Sequence, residues 1–171
     1  AVARSTKLPI ILYNVPGRTG TNTTPDVLAM VQDVPNIKAV KEASGNIAQI
    51  SELCARKPEG FRVYSGDDAL TLPVLALGGH GIVSVGAHVV GKEIKQMVES
   101  FATDPAAARK IHQRLIPVFK ALFAYPSPVP VKYATSLEGF DCESVRLPLV
   151  QLTDAEKAVV KTALAGRLVG N

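Results

Sequence analysis

What most constrains the fold is an alternation in the first half of the chain. Four short apolar runs, at residues 9–15, 37–43, 61–66 and 81–86, are separated by stretches whose apolar residues recur at helical spacing. The runs are rich in Ile, Val, Leu or Tyr and read as strands. After the first run, Thr24 is placed to cap a helix that Pro25 opens, with Val27, Leu28 and Val31 on one face. Asn46 is placed to cap the next, with Ile47, Ile50, Leu53 and Cys54 inward. A third helix, over 68–77, is apolar on nearly every side, which predicts burial. Strand alternating with helix at this spacing predicts parallel βαβ units, and near-continuous apolar strands predict a sheet covered on both faces.

Beyond Gly86 the strands stop. Ile94, Met97, Val98 and Phe101 form a helix face, and Asp104-Pro105 opens a helix with Ala108, Ile111, Leu115, Val118, Phe119 and Leu122 inward. Pro117 is expected to interrupt and kink that helix. The stretch 125–132 is too proline-rich for a helix interior, and a short helix is expected over 132–139. Thr153-Asp154-Ala155-Glu156 reads as a capping box for a last helix with Val159, Val160, Ala163 and Leu164 inward. The expected organisation is therefore α/β, with four βα units over 1–103 and a helical domain over 104–171.

Composition narrows the function. A formal charge of +4 is scattered along the chain with few aromatics, so a nucleic-acid surface has little support. No apolar run reaches membrane-spanning length without a charge, Pro or Gly, and the N-terminal stretch lacks the apolar core of a signal peptide. Cys54 and Cys142 have no metal-ligand spacing and fit a reducing, cytoplasmic compartment. His80, His88 and His112 form no ligand pattern with nearby carboxylates, so no metal is expected.

In parallel α/β folds the working residues lie at the C-terminal ends of strands. Those ends carry Tyr13-Asn14, Lys41-Glu42, Gly66-Asp67-Asp68 and Ser84-Val85-Gly86. Ile37, Ala39 and Lys41 share one strand face, and a lysine on an apolar face is costly unless paired or given work. Desolvation favours a neutral amine, which attacks carbonyls to form a Schiff base. The plainer alternative is a strand-end lysine whose head reaches water. If the strand ends converge on one mouth, Tyr13 becomes a neighbour of Lys41 and a plausible proton carrier. Arg18, on a Pro-Gly turn past the first strand, can hold a carboxylate in a bidentate fork. Together the three describe an α-keto acid site, set against a packed tyrosine and a loop arginine. Gly78-Gly79-His80-Gly81 precedes a strand, unlike a phosphate loop, and reads as a helix end with a tight turn. Asp67 reads as the cap of the following helix, against a metal or paired acid-base role for Asp67-Asp68.

At these residues a family resemblance appears. Tyr13-Asn14-Val15-Pro16-Gly17-Arg18-Thr19-Gly20, Lys41-Glu42-Ala43-Ser44-Gly45, Ser65-Gly66-Asp67-Asp68 and Gly78-Gly79-His80-Gly81-Ile82-Val83-Ser84-Val85 stand in the order and spacing of the dihydrodipicolinate synthases. These enzymes belong to the pyruvate-dependent aldolase superfamily, and the resemblance runs over essentially the whole chain. It implies a (β/α)8 TIM barrel, of which this would be the second half, strands 5–8, followed by a C-terminal helical extension. It implies that Lys41 forms the Schiff base with pyruvate, with no other cofactor. The enamine would attack aspartate 4-semialdehyde, and cyclisation would give an intermediate of lysine (diaminopimelate) biosynthesis. Tyr13 would relay protons, Arg18 would bind the second substrate's carboxylate, and the backbone at Gly66 and Val83 would line the pyruvate site. The family implies a homotetramer, often inhibited by lysine.

Two departures stand out. Ser127 occupies a position where relatives commonly have Asn. The chain also starts just before the fifth barrel strand, leaving out on the order of 120 residues if a barrel needs about 250. The paired threonines and second tyrosine of the relay, and the lysine inhibitor site, would lie there. Ile11 and Ala39, which would fill a barrel interior, would face a missing half. A sister enzyme, N-acetylneuraminate lyase or a keto-deoxy-sugar aldolase, is the near alternative, and a non-catalytic truncated chain is the other.

Overall fold

The computed structural model describes residues 1–31 and 33–165. These form two compact units, one within 1–84 and one within 85–165. In the first, β1 (Ile10–Asn14), β2 (Ile37–Glu42), β3 (Arg62–Ser65) and β4 (Gly81–Ile82) make one parallel sheet in the order β1-β2-β3-β4. The register sets Tyr13 beside Lys41 and Lys41 beside Tyr64, with Asn14 opposite Glu42 and Glu42 opposite Ser65. Consecutive pairs therefore point to opposite faces of the sheet. β4 is shorter than the expected run, although the Val83 N–H still bonds to the Ser65 carbonyl at 2.9 Å.

The core of this unit lies on one face, where Leu28, Val40, Ile50, Leu53, Val63 and Val74 pack together with Leu12, Val31 and Cys54 against them. The helices supplying that cover are short. After the single turn α1 (Pro16–Thr19) comes α2 (Pro25–Ala29), which buries Leu28 but leaves Val27 exposed, because five residues present only one turn to the sheet. α3 (Ile47–Arg56) is capped as expected by Asn46, whose Oδ1 accepts the Gln49 N–H at 3.1 Å. Its first residue, Ile47, is exposed, since the apolar stripe begins a turn later at Ile50.

The stretch 68–77 divides into a 3-10 turn, Asp68–Leu70, and α4 (Thr71–Ala76). It ends as its glycines require. Gly78 adopts φ +89°, its N–H bonds to the Leu75 carbonyl, and the Gly79 N–H reaches back to the Val74 carbonyl at 2.8 Å. This pair of bonds is the Schellman closure of a helix C-terminus.

The expected cover on both sheet faces is not found. On the face of Tyr13 and Lys41, Ile11 is 52% exposed, because among the described residues the helices α2, α3 and α4 pack against the other face. Ala39, expected to be open as well, is buried, its single methyl flanked across the ladder by Ile11 and Arg62.

The second unit contains α5 (Ala87–Ser100), α6 (Pro105–Leu122), α7 (Val129–Ser136) and α8 (Asp154–Ala165). α5 groups with these helices as one compact unit. Asp104 caps α6 through the Ala107 N–H at 2.9 Å, and every expected inward residue of α6 is buried. α6 runs unbroken through Pro117 to Leu122, as its inward residues require. α7 starts at Val129, earlier than expected, because Pro130 falls in its first turn, where a missing N–H costs no helical bond. The capping box of α8 forms: Glu156 Oε2 accepts the Thr153 N–H at 2.7 Å. Val159 is exposed, one position off the stripe that Val160 and Leu164 bury. No helix among the described residues is long and apolar enough to cross a membrane.

Candidate active site

The residues singled out at the strand ends collect at one edge of the first unit. Lys41, half-buried at the end of β2, holds its Nζ over the Tyr13 ring, 4.1 Å from the ring centre. A cation over an aromatic face is attracted by the ring quadrupole, which fixes the amine beside the neighbouring strand. Tyr13 itself is 49% exposed, so its phenol can exchange protons with solvent or a ligand. On the other side, Gly66 follows β3 and its N–H bonds to the Glu42 carbonyl at 2.7 Å. A Cβ at Gly66 would stand 3.1 Å from Lys41 Cε and Cγ and 2.8 Å from the Ala43 Cβ. The absence of a side chain there is what lets the lysine stem lie against the backbone. Val83 continues the β4 ladder and is 40% exposed.

Arg18 follows the first strand on the turn after it. It rides on α1, opened by Pro16 and closed by Gly20 at φ +69°, whose N–H returns to the Pro16 carbonyl at 2.9 Å. Its side chain is exposed and makes no ion pair among the described residues.

Two polar pairs, one fully buried and one half-buried, escaped the sequence reading. Behind Tyr13 and Lys41, on the opposite face, Asn14 and Glu42 are both 1% exposed. Asn14 Nδ2 donates to the two Glu42 oxygens at 2.9 Å and 3.1 Å, and the Ser44 N–H donates to Glu42 Oε1 at 2.6 Å. Asn14 Oδ1 accepts the Thr23 N–H at 2.8 Å, and Asn22 and Gln49 extend the network to the surface. The second pair is the buried Asp68, which accepts from the Ser84 hydroxyl. A polar residue following a site residue at the same position of two consecutive strands was the signal available for the first pair. Asp67 takes the capping role expected of it, accepting the Ala69 N–H at 2.9 Å.

His80 meets Tyr64 edge-on at 5.4 Å between ring centres, and His88 is exposed. His112, in α6, has a buried Nδ1 without a hydrogen-bond partner among the described residues, and burial pushes the imidazole pKa below its ordinary value of 6.5. Among the described residues no group of three His, Cys, Asp or Glu is placed to hold a metal ion. Cys54 and Cys142 are free thiols.

Known proteins resemble this chain over nearly its whole length. The model of the "Dihydrodipicolinate synthetase family" matches residues 1–166. The 4-hydroxy-tetrahydrodipicolinate synthase of Bacillus velezensis is 47% identical over 166 residues, covering 96% of this chain and 57% of that protein. The enzyme of the same name from Desulforamulus reducens is 50% identical over 165 residues, covering 95% and 56%. The crystal structure of DHDPS from Cyanidioschyzon merolae with lysine bound superposes with a TM-score of 0.94 at 41% identity, over 99% of this chain and 58% of that one. The chain thus spans somewhat over half the length of the relatives it matches.

Proposed function

The chain belongs to the dihydrodipicolinate synthetase family, and from that premise we propose that it carries the Schiff-base half of a 4-hydroxy-tetrahydrodipicolinate synthase. In this reading it is the second half of a (β/α)8 barrel with a helical extension, divided near 103/104, and further βα units complete the mouth.

The observation that carries the reading is the Lys41 amine held over Tyr13 with Gly66 open beside it. The neutral amine of Lys41 adds to the ketone carbon of pyruvate. Tyr13 delivers a proton to the carbinolamine hydroxyl, which leaves as water and gives the imine. The Tyr13 phenolate left by that donation takes a methyl proton to make the enamine. The enamine's terminal carbon bonds to the aldehyde carbon of aspartate 4-semialdehyde while Tyr13 returns the proton to the aldehyde oxygen, which becomes the hydroxyl. The amino group of that substrate then adds to the imine carbon, closing the ring and releasing Lys41. The backbone at Gly66 and Val83 lines the pyruvate site, and Arg18 forks the carboxylate of the aldehyde substrate. No cofactor beyond the lysine adduct takes part. The assembly is a homotetramer in the cytoplasm, and lysine acts as an inhibitor, bound by segments outside this stretch.

The test is covalent. Pyruvate plus borohydride on the full-length protein is expected to leave a reduced adduct that peptide mass mapping assigns to Lys41. An adduct on Lys38 or Lys132, with Lys41 unmodified, would overturn the assignment. For Arg18, replacement by lysine removes a bidentate pair. Hydrogen bonds to charged groups contribute roughly 1.5–3 kcal/mol each, so the KM for aspartate 4-semialdehyde is expected to rise at least about tenfold. Pyruvate adduct formation should change much less. Equal damage to both substrates would make Arg18 purely structural.

A further inference from the structure

We infer that the buried Asn14–Glu42 pair is the positioning device of the Lys41–Tyr13 couple, an inference that rests on the reading above. The two pairs are consecutive rungs of one ladder. Tyr13 lies opposite Lys41, and Asn14 lies opposite Glu42. Strand alternation sends the first rung to the open face and the second to the covered face. The side chains of the second rung thus grip the same two strand ends that the first rung uses for chemistry.

A carboxyl group 1% exposed is an expensive way to fill space unless every lone pair is used. Glu42 is held by N–H donors from Asn14 and Ser44, and among the described residues no ion pair reaches it. Asn14 in turn is fixed by the Thr23 N–H and by Asn22. The pair therefore ties four things together: the end of β1, the end of β2, the loop at Thr23 and the turn at Ser44. The backbone agrees with this clamp, since the Ala43 N–H bonds to the Asn14 carbonyl at 2.8 Å. An apolar pair could fill the volume but could not set the rotation of these two strand ends or hold both loops. The geometry that depends on that rotation is the amine over the ring at 4.1 Å.

The donor and acceptor pattern makes the idea testable by exchange. In Glu42→Gln a new NH2 group meets the Asn14 NH2 group, donor against donor. Adding Asn14→Asp restores complementarity. The introduced carboxylate accepts from the introduced amide's Nε2 and from the Thr23 N–H, while the amide's Oε1 keeps the Ser44 bond. The exposed Asn22 amide can rotate to follow. The readouts, taken on the full-length protein, are the rate of borohydride-trapped pyruvate adduct at Lys41 and the melting temperature. Misplacement of a reacting group by an ångström costs about a hundredfold. E42Q is therefore expected to slow adduct formation between about tenfold and a hundredfold at temperatures where it is fully folded. The double variant N14D/E42Q is expected to recover to within about threefold of the parent, as a restored positioning contact should.

A parental adduct rate in folded E42Q overturns the inference. So does a double variant that regains its melting temperature but not its rate. If E42Q does not fold, Asn22→Ala serves instead. It removes one bond on Asn14 from the exposed side and is expected to slow the adduct a few-fold without unfolding. An unchanged rate there also overturns the inference. An adduct absent from Lys41 in the parent protein itself sinks the functional reading and this inference with it, and is told apart by that control.

Discussion

At the scale of single residues, Gly66 separates a site argument from a packing argument. Any side chain there meets the Ala43 Cβ at 2.8 Å, a fixed atom, and two atoms of the Lys41 stem at 3.1 Å. The Lys41 stem can yield, but the Ala43 Cβ moves only with its backbone, so Gly66→Ala is expected both to displace the lysine and to destabilise the strand ends by about 1–3 kcal/mol. Borohydride trapping in the full-length variant, at temperatures where it is folded, should slow by about tenfold or more. A large melting loss with a parental trapping rate would mean that Gly66 serves packing alone. The proximity of Tyr13 to Lys41 was legible in the sequence, because both sit at corresponding positions of consecutive strands and parallel pairing makes them neighbours. The Asn14–Glu42 pair was not. A polar residue at a strand end looks solvated until the loops at Thr23 and Ser44 fold over it, and nothing local in the sequence announces that closure.

At the scale of elements, most caps were legible and the extents were not, and Thr24, although it stands at the start of α2, makes no side-chain capping bond. Asn46, Asp67, Asp104 and Thr153 each cap the helix start expected of them, because capping depends on a few adjacent residues. The position of α7 depended on whether Pro130 lay inside a helix or in its first turn, which tertiary packing of the buried Val129 and Val131 decides. The closure of α4 is the sharpest test of an element boundary. A Cβ on Gly79 would lie 2.4 Å from Val74 Cγ1 and 2.7 Å from the Val74 carbonyl oxygen. Backbone cannot move aside as a side-chain tip can, and Val74 is fully buried. Gly79→Ala is therefore expected to destabilise the fold by about 1–3 kcal/mol, the range for overpacking a core. Denaturant unfolding would read the loss as a lower midpoint. A midpoint within experimental error of the parent would mean that the turn after α4 relaxes freely and that the glycine pair is not required for closure.

At the scale of the whole molecule, the sheet of the first unit has two open edges and one open face. β1 pairs only with β2 and β4 only with β3, so the outer sides of both carry ladder groups with no strand partner among the described residues. Ile11, Tyr13 and Val83 lie exposed at and beside the ends of the strands. In the proposed barrel, further strands would pair with both edges and their side chains would fill the interior. A polypeptide limited to these 171 residues has neither. Unpaired edges recruit other strands, and contiguous apolar exposure is rarely tolerated by a monomer. The 171-residue chain purified alone is therefore expected to self-associate or aggregate, and to turn over no aspartate 4-semialdehyde. Co-expression with the N-terminal portion of a close relative should suppress the association and restore pyruvate trapping. Size-exclusion chromatography with light scattering, paired with an activity assay, decides the matter. A monodisperse monomer with a cooperative melt and full turnover would mean that four strands suffice, and that neither the half-barrel nor the divided site describes this protein.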